Sequence, residues 1–218
     1  LIGANRRFTV SCWVRLSVPS YFDWNRNLVV LASRVGGSET DPVAWLIRFS
    51  RDTGNLEFVT RSGAETLIPQ PLVRRPFLER WYHLAVVRDG NVLKGFVDGR
   101  PVFTSSADPG ELAGNGVSIG GLGDGLGFLG DIQEAAIYDT AVSDSQIFDR
   151  MFQDQTGRVG LRGYFKLAAS NTADNEYRNF AQNAPAGGLR LVKAGVGTVV
   201  FEETDRAGEQ SIFDSRKN

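Results

Sequence analysis

The 218-residue chain has little of the side-chain chemistry on which most enzymes and metal sites depend. It contains one cysteine, one histidine and one methionine. It also lacks a run of about 18 apolar residues that could span a bilayer. Because Cys12 is alone, no intrachain disulfide can form, and redox chemistry does not indicate a compartment. A chain of this length buries enough apolar surface to fold without a disulfide.

No charge of one sign dominates the sequence. The 24 Lys and Arg residues and the 25 Asp and Glu residues give a formal net charge of −1. Such a balance favours neither a phosphate backbone nor anionic lipid. We therefore expect no nucleic-acid partner and no membrane insertion. Residues 1–7 lack Met and the basic-then-apolar layout of a signal peptide, so an excised fragment is expected.

What the sequence does have is alternation with a period of two. Short runs of β-branched and aromatic residues are separated by Gly, Pro, Asn and Asp, a pattern typical of an antiparallel sandwich. In residues 8–15 the alternation places Phe8, Val10 and Cys12 on one face, which predicts a buried, inert thiol. Further strands are predicted at residues 28–33, 44–49, 56–60, 81–88, 92–97, 101–104, 128–138, 161–167 and 198–203. One all-β domain over residues 1–203 follows.

Two local signals stand out from the strand pattern. Asp98-Gly99 between two apolar runs predicts a two-residue type I′ hairpin. Ser143 with Gln146 forms a capping-box pattern, which predicts one helix over residues 144–153. Residues 168–188 are predicted to form a long loop, and the polar residues 204–218 a C-terminal extension or linker.

Three segments, in order, resemble a known family. They are Phe-Thr-Val-Ser-Cys-Trp-Val at 8–14, Trp-Tyr-His followed by the Asp-Gly turn within 81–102, and Ile-Gly-Gly followed by Gly-Asp-Ile-Gln-Glu within 119–147. Together they resemble the laminin G-like jelly-roll family, which shares its fold with pentraxins and concanavalin A-like lectins. The resemblance covers about residues 8–152, and residues 160–167 are similar to the family's closing strand. It implies a two-sheet antiparallel jelly-roll sandwich with rim loops and a concave, sugar-holding face.

The resemblance also implies a place for calcium. Pentraxins hold calcium with an Asp-Asn pair after an early strand and with acids on a later loop. Asp41 lies near the first position and Asp124 near the second, but Pro42 replaces the amide and the later loop is too short for more acids. Two carboxylates with backbone carbonyls and waters would form only a weak site. The alternative is two solvated turn aspartates.

A polar loop with three aromatic rings suggests a carbohydrate surface. Tyr21, Phe22 and Trp24 alternate with Asp and Asn, and such a loop cannot easily bury every ring. Sugars stack on exposed rings, so these residues and Trp45 are the carbohydrate-facing candidates. The alternative is ordinary packing between the loop and the edge of the sheet.

The residues needed for catalysis are largely missing. Related glucanases use Glu-x-Asp-x-Glu on one strand face, and the sequence has no such triplet. No Gly-x-Ser-x-Gly positions a nucleophile, and His83 lies in a core strand, where a hydrogen-bonded structural role is favoured over that of a base. Asp131 and Glu134 are either ligands or acids, or else rim residues paired with neighbouring Arg.

The sequence as a whole favours binding over catalysis. We expect a non-catalytic module of a secreted or cell-surface multidomain protein, with a glycan or a protein partner bound by rim loops and with calcium as a cofactor only if the weak site forms. One alternative is a structural spacer in a large extracellular repeat or toxin protein, held by neighbouring domains of the same chain. A jelly-roll polysaccharide-degrading enzyme is a more distant alternative.

Overall fold

The computed structural model describes residues 6–17, 28–34, 42–62, 66–106, 109–110, 112, 116–121 and 127–166, with the side chains of 61–68 left out. The predicted loop 168–188, strand 198–203 and extension 204–218 lie outside these residues. The division into a domain over 1–203 and a short extension therefore stays a prediction.

Two antiparallel sheets form the described part of the chain. The strands are β1 Arg7–Leu16, β2 Leu28–Arg34, β3 Val43–Phe49, β4 Leu56–Ser62, β5 Thr66–Val73, β6 Trp81–Asp89, β7 Val92–Val97, β8 Arg100–Ser105, β9 Gly116–Ile119, β10 Gly130–Tyr138 and β11 Leu161–Phe165, and the helix α1 is Asp144–Arg150. One sheet has the order β11-β10-β1-β6-β7-β8, and the other has the order β5-β4-β3-β2-β9. The predicted all-β jelly-roll sandwich with one short helix is confirmed.

Each strand predicted up to residue 167 is present, but β5 and β9 were not predicted. Strand β5 contains Pro69 and Pro71, which usually argue against a strand. Both prolines lie on an edge strand that pairs with β4 on one side only. Residues two apart direct their backbone nitrogens to the same side of a strand, and an edge strand has one side on which no ladder needs a donor, so it can accept both prolines.

The core lies between the two sheets and is built around β1. This strand lies in the middle of its sheet, paired with β6 on one side and β10 on the other. Its alternate side chains from Phe8 to Leu16 are buried against the five-stranded sheet. Cys12 is among them, and burial raises the pKa of its thiol well above the usual range. The predicted inert thiol is confirmed.

Strand β10 contains one residue more than its partner. Ser11 pairs with Ala136, but Trp13 pairs with Gln133, so a bulge separates them. Glu134, within the bulge, has a φ of 49°. A simple alternation along β10 is therefore wrong, because the bulge reverses which side chains face the core beyond it.

Helix α1 covers the outer face of the six-stranded sheet. Both halves of the predicted capping box at Ser143 are present. Ile147 packs against the sheet, but the helix ends at Arg150, three residues earlier than predicted. Beyond this end, the side-chain amide of Gln155 donates to the carbonyls of Arg150 and Gln153. No helix among the described residues is long and apolar enough to cross a membrane.

The hairpin between β7 and β8 has the predicted turn. Asp98 and Gly99 have φ values of 50° and 74°, and the flanking Val97 and Arg100 pair across the turn. Two positive φ values are what a type I′ turn requires.

Gly130 offers a test of how tightly β1 and β10 approach. Its φ is 145°, and a methyl group there would overlap the backbone carbonyl of Arg15. We expect Gly130→Ala to lower the free energy of unfolding by about 3 kcal/mol or more. Gly54→Ala is the control, because Gly54 has a φ of 67° with nothing within 4 Å, and only about 1–2 kcal/mol of backbone strain is expected. Equal losses in urea unfolding, followed by tryptophan fluorescence, would contradict the close approach.

Candidate functional site

One end of the sandwich gathers the strand connections that carry most of the predicted site residues. This end, called the rim below, is formed by Ser17, the turn 50–55, the loop 74–80, the turn 98–99 and residues 129–130. The backbone N–H of Ser17 donates to the carbonyl of Leu129 at 3.1 Å. The N–H of Glu79 donates to the carbonyl of Leu16 at 2.9 Å. Three separate connections are thus joined by backbone hydrogen bonds.

The predicted aromatic loop is attached to this rim. Tyr21, Phe22 and Trp24 lie between Ser17 and Leu28, outside the described residues. Ser17 is part of the rim. Leu28 is the first residue of β2 and pairs with Phe49, which directly precedes the turn 50–55. Both flanks of the loop therefore lie at the rim, and the sugar-facing role of its rings stays a prediction.

Asp124 also lies outside the described residues, in the connection between Gly121 and Gly127. Gly127 forms an isolated bridge with Val29, the second residue of β2. The connection that contains Asp124 therefore returns at the rim.

Asp41 belongs to a different connection, which is likewise outside the described residues. That connection leaves β2 after Arg34, which pairs with Gly116 at the start of β9. The connection with the other aspartate follows Ile119 at the far end of β9, beside Leu31. The described flanks of the two aspartates thus leave opposite ends of one strand pair. Within the described ranges, no group of three or more His, Cys, Asp or Glu residues could hold a metal ion.

Trp45 does not face a ligand. Its side chain is 0% exposed and lies in the main core. Its ring is stacked on that of Phe8, with centroids 5.7 Å apart, and is 6.0 Å from that of Phe58. The prediction that Trp45 contacts carbohydrate is therefore wrong, because its register on β3 directs it between the sheets.

The rim exposes two apolar side chains that the sequence did not indicate. Phe77 is 70% exposed and Leu78 is 47% exposed, in the loop between β5 and β6. Exposed arginines lie on both sides of them, at positions 74, 75 and 80. The available signal was a Pro-Phe-Leu step between charged residues, but only the fold shows that this step points away from the core.

The loop 74–80 is held in one shape. The N–H of Phe77 donates to the Tyr82 hydroxyl at 3.0 Å, and the N–H of Arg75 donates to Oδ1 of Asn55 at 3.1 Å. Arg75 and Glu79 have φ values of 47° and 58°, a region that side chains other than glycine rarely adopt. Such strain persists only where surrounding contacts fix the backbone.

The sequence left two interpretations of Asp131, a ligand or acid and a residue paired with arginine, and the structure decides between them. It is buried, and Nε of Arg15 donates to its Oδ2 at 2.6 Å. The same guanidinium lies over the Trp81 ring, 5.2 Å from its centroid. Asp131 is therefore paired with a neighbouring arginine and is not available as a free acid.

Glu134 lines a small polar cavity under α1. The cavity is bordered by Ser11, Trp13, His83, Glu134, Tyr138 and Gln155, among others. Its volume of about 10 Å³ is the room that one water molecule needs. Burial raises the pKa of Glu134 to about 7, while Lys166 lowers it and Asp154 raises it further. A titratable acid is present, but a substrate has no room.

His83 is packed inside the sheet. Its backbone N–H donates to Oδ1 of Asp98 at 2.9 Å, and its ring lies edge-on to that of Trp13 at 5.1 Å. These contacts agree with the structural role favoured from its place in a core strand.

Comparisons with known proteins agree with the sandwich fold. A family model described as the concanavalin A-like lectin/glucanases superfamily matches residues 1–148. A proposed carbohydrate-binding protein from Bacteroides ovatus has a TM-score of 0.60 at 16% identity, covering 90% of this chain and 56% of that chain. Domain 4 of AbnA, an extracellular arabinanase from Geobacillus stearothermophilus solved with arabinotriose, has a TM-score of 0.50 at 19% identity, with 66% of each chain covered. No curated protein matches the sequence. At these identities the likeness of the solved structures concerns the fold.

The raised pKa of Glu134 predicts a pH dependence of stability. The folded protein binds this proton more tightly than the unfolded chain, so stability falls as the pH rises from about 4.5 to about 7. Glu134→Gln keeps the side chain neutral and removes that fall. Between pH 5 and pH 8 we expect the wild type to lose about 2 kcal/mol relative to the variant in urea unfolding. Glu79→Gln, at the exposed rim, is the control. Identical pH profiles of the wild type and Glu134→Gln would contradict the prediction.

Proposed function

Since this chain belongs to the concanavalin A-like lectin/glucanases superfamily, we propose that it is a non-catalytic module that binds a glycan at the rim. The observation that carries the proposal is the convergence of strand connections there. The backbone hydrogen bond from Ser17 to Leu129 joins the start of the aromatic loop to the residues that follow the connection with Asp124. The one from Glu79 to Leu16 joins the loop 74–80 to the end of β1. Loops positioned by a rigid sandwich are a usual arrangement of a binding site.

Two solved structures of the same fold support the glycan class. One is the proposed carbohydrate-binding protein of Bacteroides ovatus, and the other is the arabinanase domain solved with arabinotriose. Both proteins share less than a fifth of their residues with this chain, so they support a ligand class and not a particular sugar. An extracellular or cell-surface location in a multidomain protein belongs to the same proposal.

The buried acids support a non-catalytic role. Glycoside hydrolysis needs two carboxyl groups on either side of the scissile bond. Asp131 is paired with Arg15, and Glu134 borders a cavity with room for about one water. Glu57 accepts from Arg48 at 2.9 Å and from the Thr53 hydroxyl at 3.3 Å. Asp131 and Glu57 are thus buried and paired with arginines, and Glu134 faces a cavity that has no room for a sugar.

A spacer role is the second candidate, and an exposed patch at the C-terminal end of α1 favours it. Phe148 and Phe152 are partly exposed and pack edge to face, with centroids 5.9 Å apart. A neighbouring domain of the same chain could cover these rings, as inter-domain contacts of a spacer would.

Replacement of Trp24 tests the glycan proposal. Its ring offers the largest stacking surface in the aromatic loop, so Trp24→Ala should weaken binding at least tenfold, or about 1.4 kcal/mol. A panel of neutral and acidic polysaccharides in affinity gels, followed by calorimetry with the best ligand, measures this. Phe152→Ala, just after α1, is the matched control and should bind like the wild type. Unchanged binding by Trp24→Ala, or release of new reducing ends from the ligand, would contradict a non-catalytic rim site.

Calcium dependence is tested by thermal unfolding in millimolar calcium against chelator. A ligand at 100 times its Kd adds about 2.7 kcal/mol to the native state. For a chain of this size the melting temperature should rise by roughly 5–10 °C. Asp124→Asn should remove the rise if that carboxylate is a ligand, and Asp52→Asn, in the turn 50–55, should not. An unchanged melting temperature would mean that the rim works without metal.

A further inference from the structure

The loop 74–80 displays two consecutive apolar side chains to solvent. Phe77 and Leu78 are the only neighbours in sequence among the large exposed apolar side chains of the described residues. Burial of such side chains is favourable, so two adjacent ones held in solvent make this loop a candidate contact surface.

The backbone of this loop prevents the two side chains from folding back. Hydrogen bonds fix it at three places, from Phe77 to the Tyr82 hydroxyl, from Arg75 to Asn55 and from Glu79 to the carbonyl of Leu16. The loop is thus tied to β6, to the turn 50–55 and to the end of β1. Arg75 and Glu79, whose own N–H groups make two of these hydrogen bonds, are held at positive φ values of 47° and 58°.

Arginines surround the apolar pair. The side chains of Arg74 and Arg75 are exposed and make no ion pair with any described residue. Arg80 lies over the Tyr82 ring at 4.9 Å and is 3.8 Å from Oδ2 of Asp98. Residues 74–80 contain three arginines and one acid, Glu79, so this loop has a formal charge of +2 although the whole chain has a net charge of −1. Local charge decides a surface contact, because exposed charges are screened beyond about 10 Å.

We propose that the tip formed by residues 74–80 docks on an anionic phospholipid surface. Phe77 and Leu78 enter the boundary between headgroups and acyl chains, and Arg74 and Arg75 contact the lipid phosphates. This mode needs an apolar centre with a basic surround and no membrane-spanning segment. Guanidinium groups suit phosphate because they donate two parallel hydrogen bonds.

The chemistry of the tip favours lipid over a sugar. Leu78 offers a sugar neither a ring for stacking nor a hydrogen-bonding group, whereas the side chains of both Phe77 and Leu78 can enter the boundary between headgroups and acyl chains. The inference goes beyond the glycan proposal and stands without it, because no residue of the aromatic loop takes part.

Vesicle co-sedimentation tests the docking. Vesicles with about 30% phosphatidylserine in phosphatidylcholine are compared with pure phosphatidylcholine, at low salt and at about 1 M salt. The wild type should bind the anionic vesicles at least tenfold more strongly, and high salt should reduce the difference. The double variant Phe77→Ser, Leu78→Ser should lose at least tenfold in binding to anionic vesicles. The double variant Arg74→Gln, Arg75→Gln should lose the preference for phosphatidylserine.

Phe148→Ser is the matched control, because Phe148 is an exposed ring outside the tip. All substituted side chains are exposed, and thermal unfolding verifies that each variant folds. No binding of the wild type to anionic vesicles would overturn the proposal, as would an equal loss in Phe148→Ser. Loss of polysaccharide binding in the Phe77, Leu78 variant with vesicle binding intact would assign the tip to the glycan site instead. Loss of self-association in sedimentation velocity, without a vesicle effect, would assign it to a contact between copies.

Discussion

The double pairing of β1 is the constraint on which the rest of the structure depends. From Arg7 to Arg15 this strand pairs with β6 without interruption, so its register cannot shift on that side. Strand β10, on the other side, has one residue too many, and the surplus is absorbed at Glu134. Beyond the bulge Ala135 and Ile137 face the core, whereas a slip by one residue would have turned them outward. The same bulge places Glu134 under α1, where burial raises its pKa.

Sequence reasoning succeeded where neighbouring residues decide the structure and failed where distant ones do. The Asp98-Gly99 turn and the Ser143 cap depend on a few adjacent side chains, and both are as predicted. The bulge at Glu134 exists only because a partner strand is shorter, and that partner is distant in sequence. Trp45 was assigned to the wrong surface because alternation separates two faces without saying which one is buried. Phe77 went unnoticed for a related reason, since its exposure is a property of the assembled fold.

The internal chemistry of the sandwich agrees with the proposal of a binding site at its rim. Two buried carboxylates are matched within the sheets, Asp131 with Arg15 and Glu57 with Arg48. Pairs of this kind are costly to break, because the partner left behind stays buried and charged. Helix α1 closes the outer face of the six-stranded sheet and leaves a cavity for one water. Among the described residues, the side chains that a ligand can reach without breaking buried contacts are therefore those of the connections.

The two proposed contacts share one end of the molecule but rest on different physics. Rings of the aromatic loop would stack on a sugar, while the tip at 74–80 combines apolar burial with pairing of arginine and phosphate. The hydrogen bond from Glu79 to the carbonyl of Leu16 ties the tip to the strand that leads into the aromatic loop. A module docked by its tip would therefore present the flanks of the aromatic loop to the same lipid surface. A glycan bound at the rim would then have to be displayed close to that lipid surface. The glycan bound by the rim and the lipid bound by the tip would therefore belong to the same membrane.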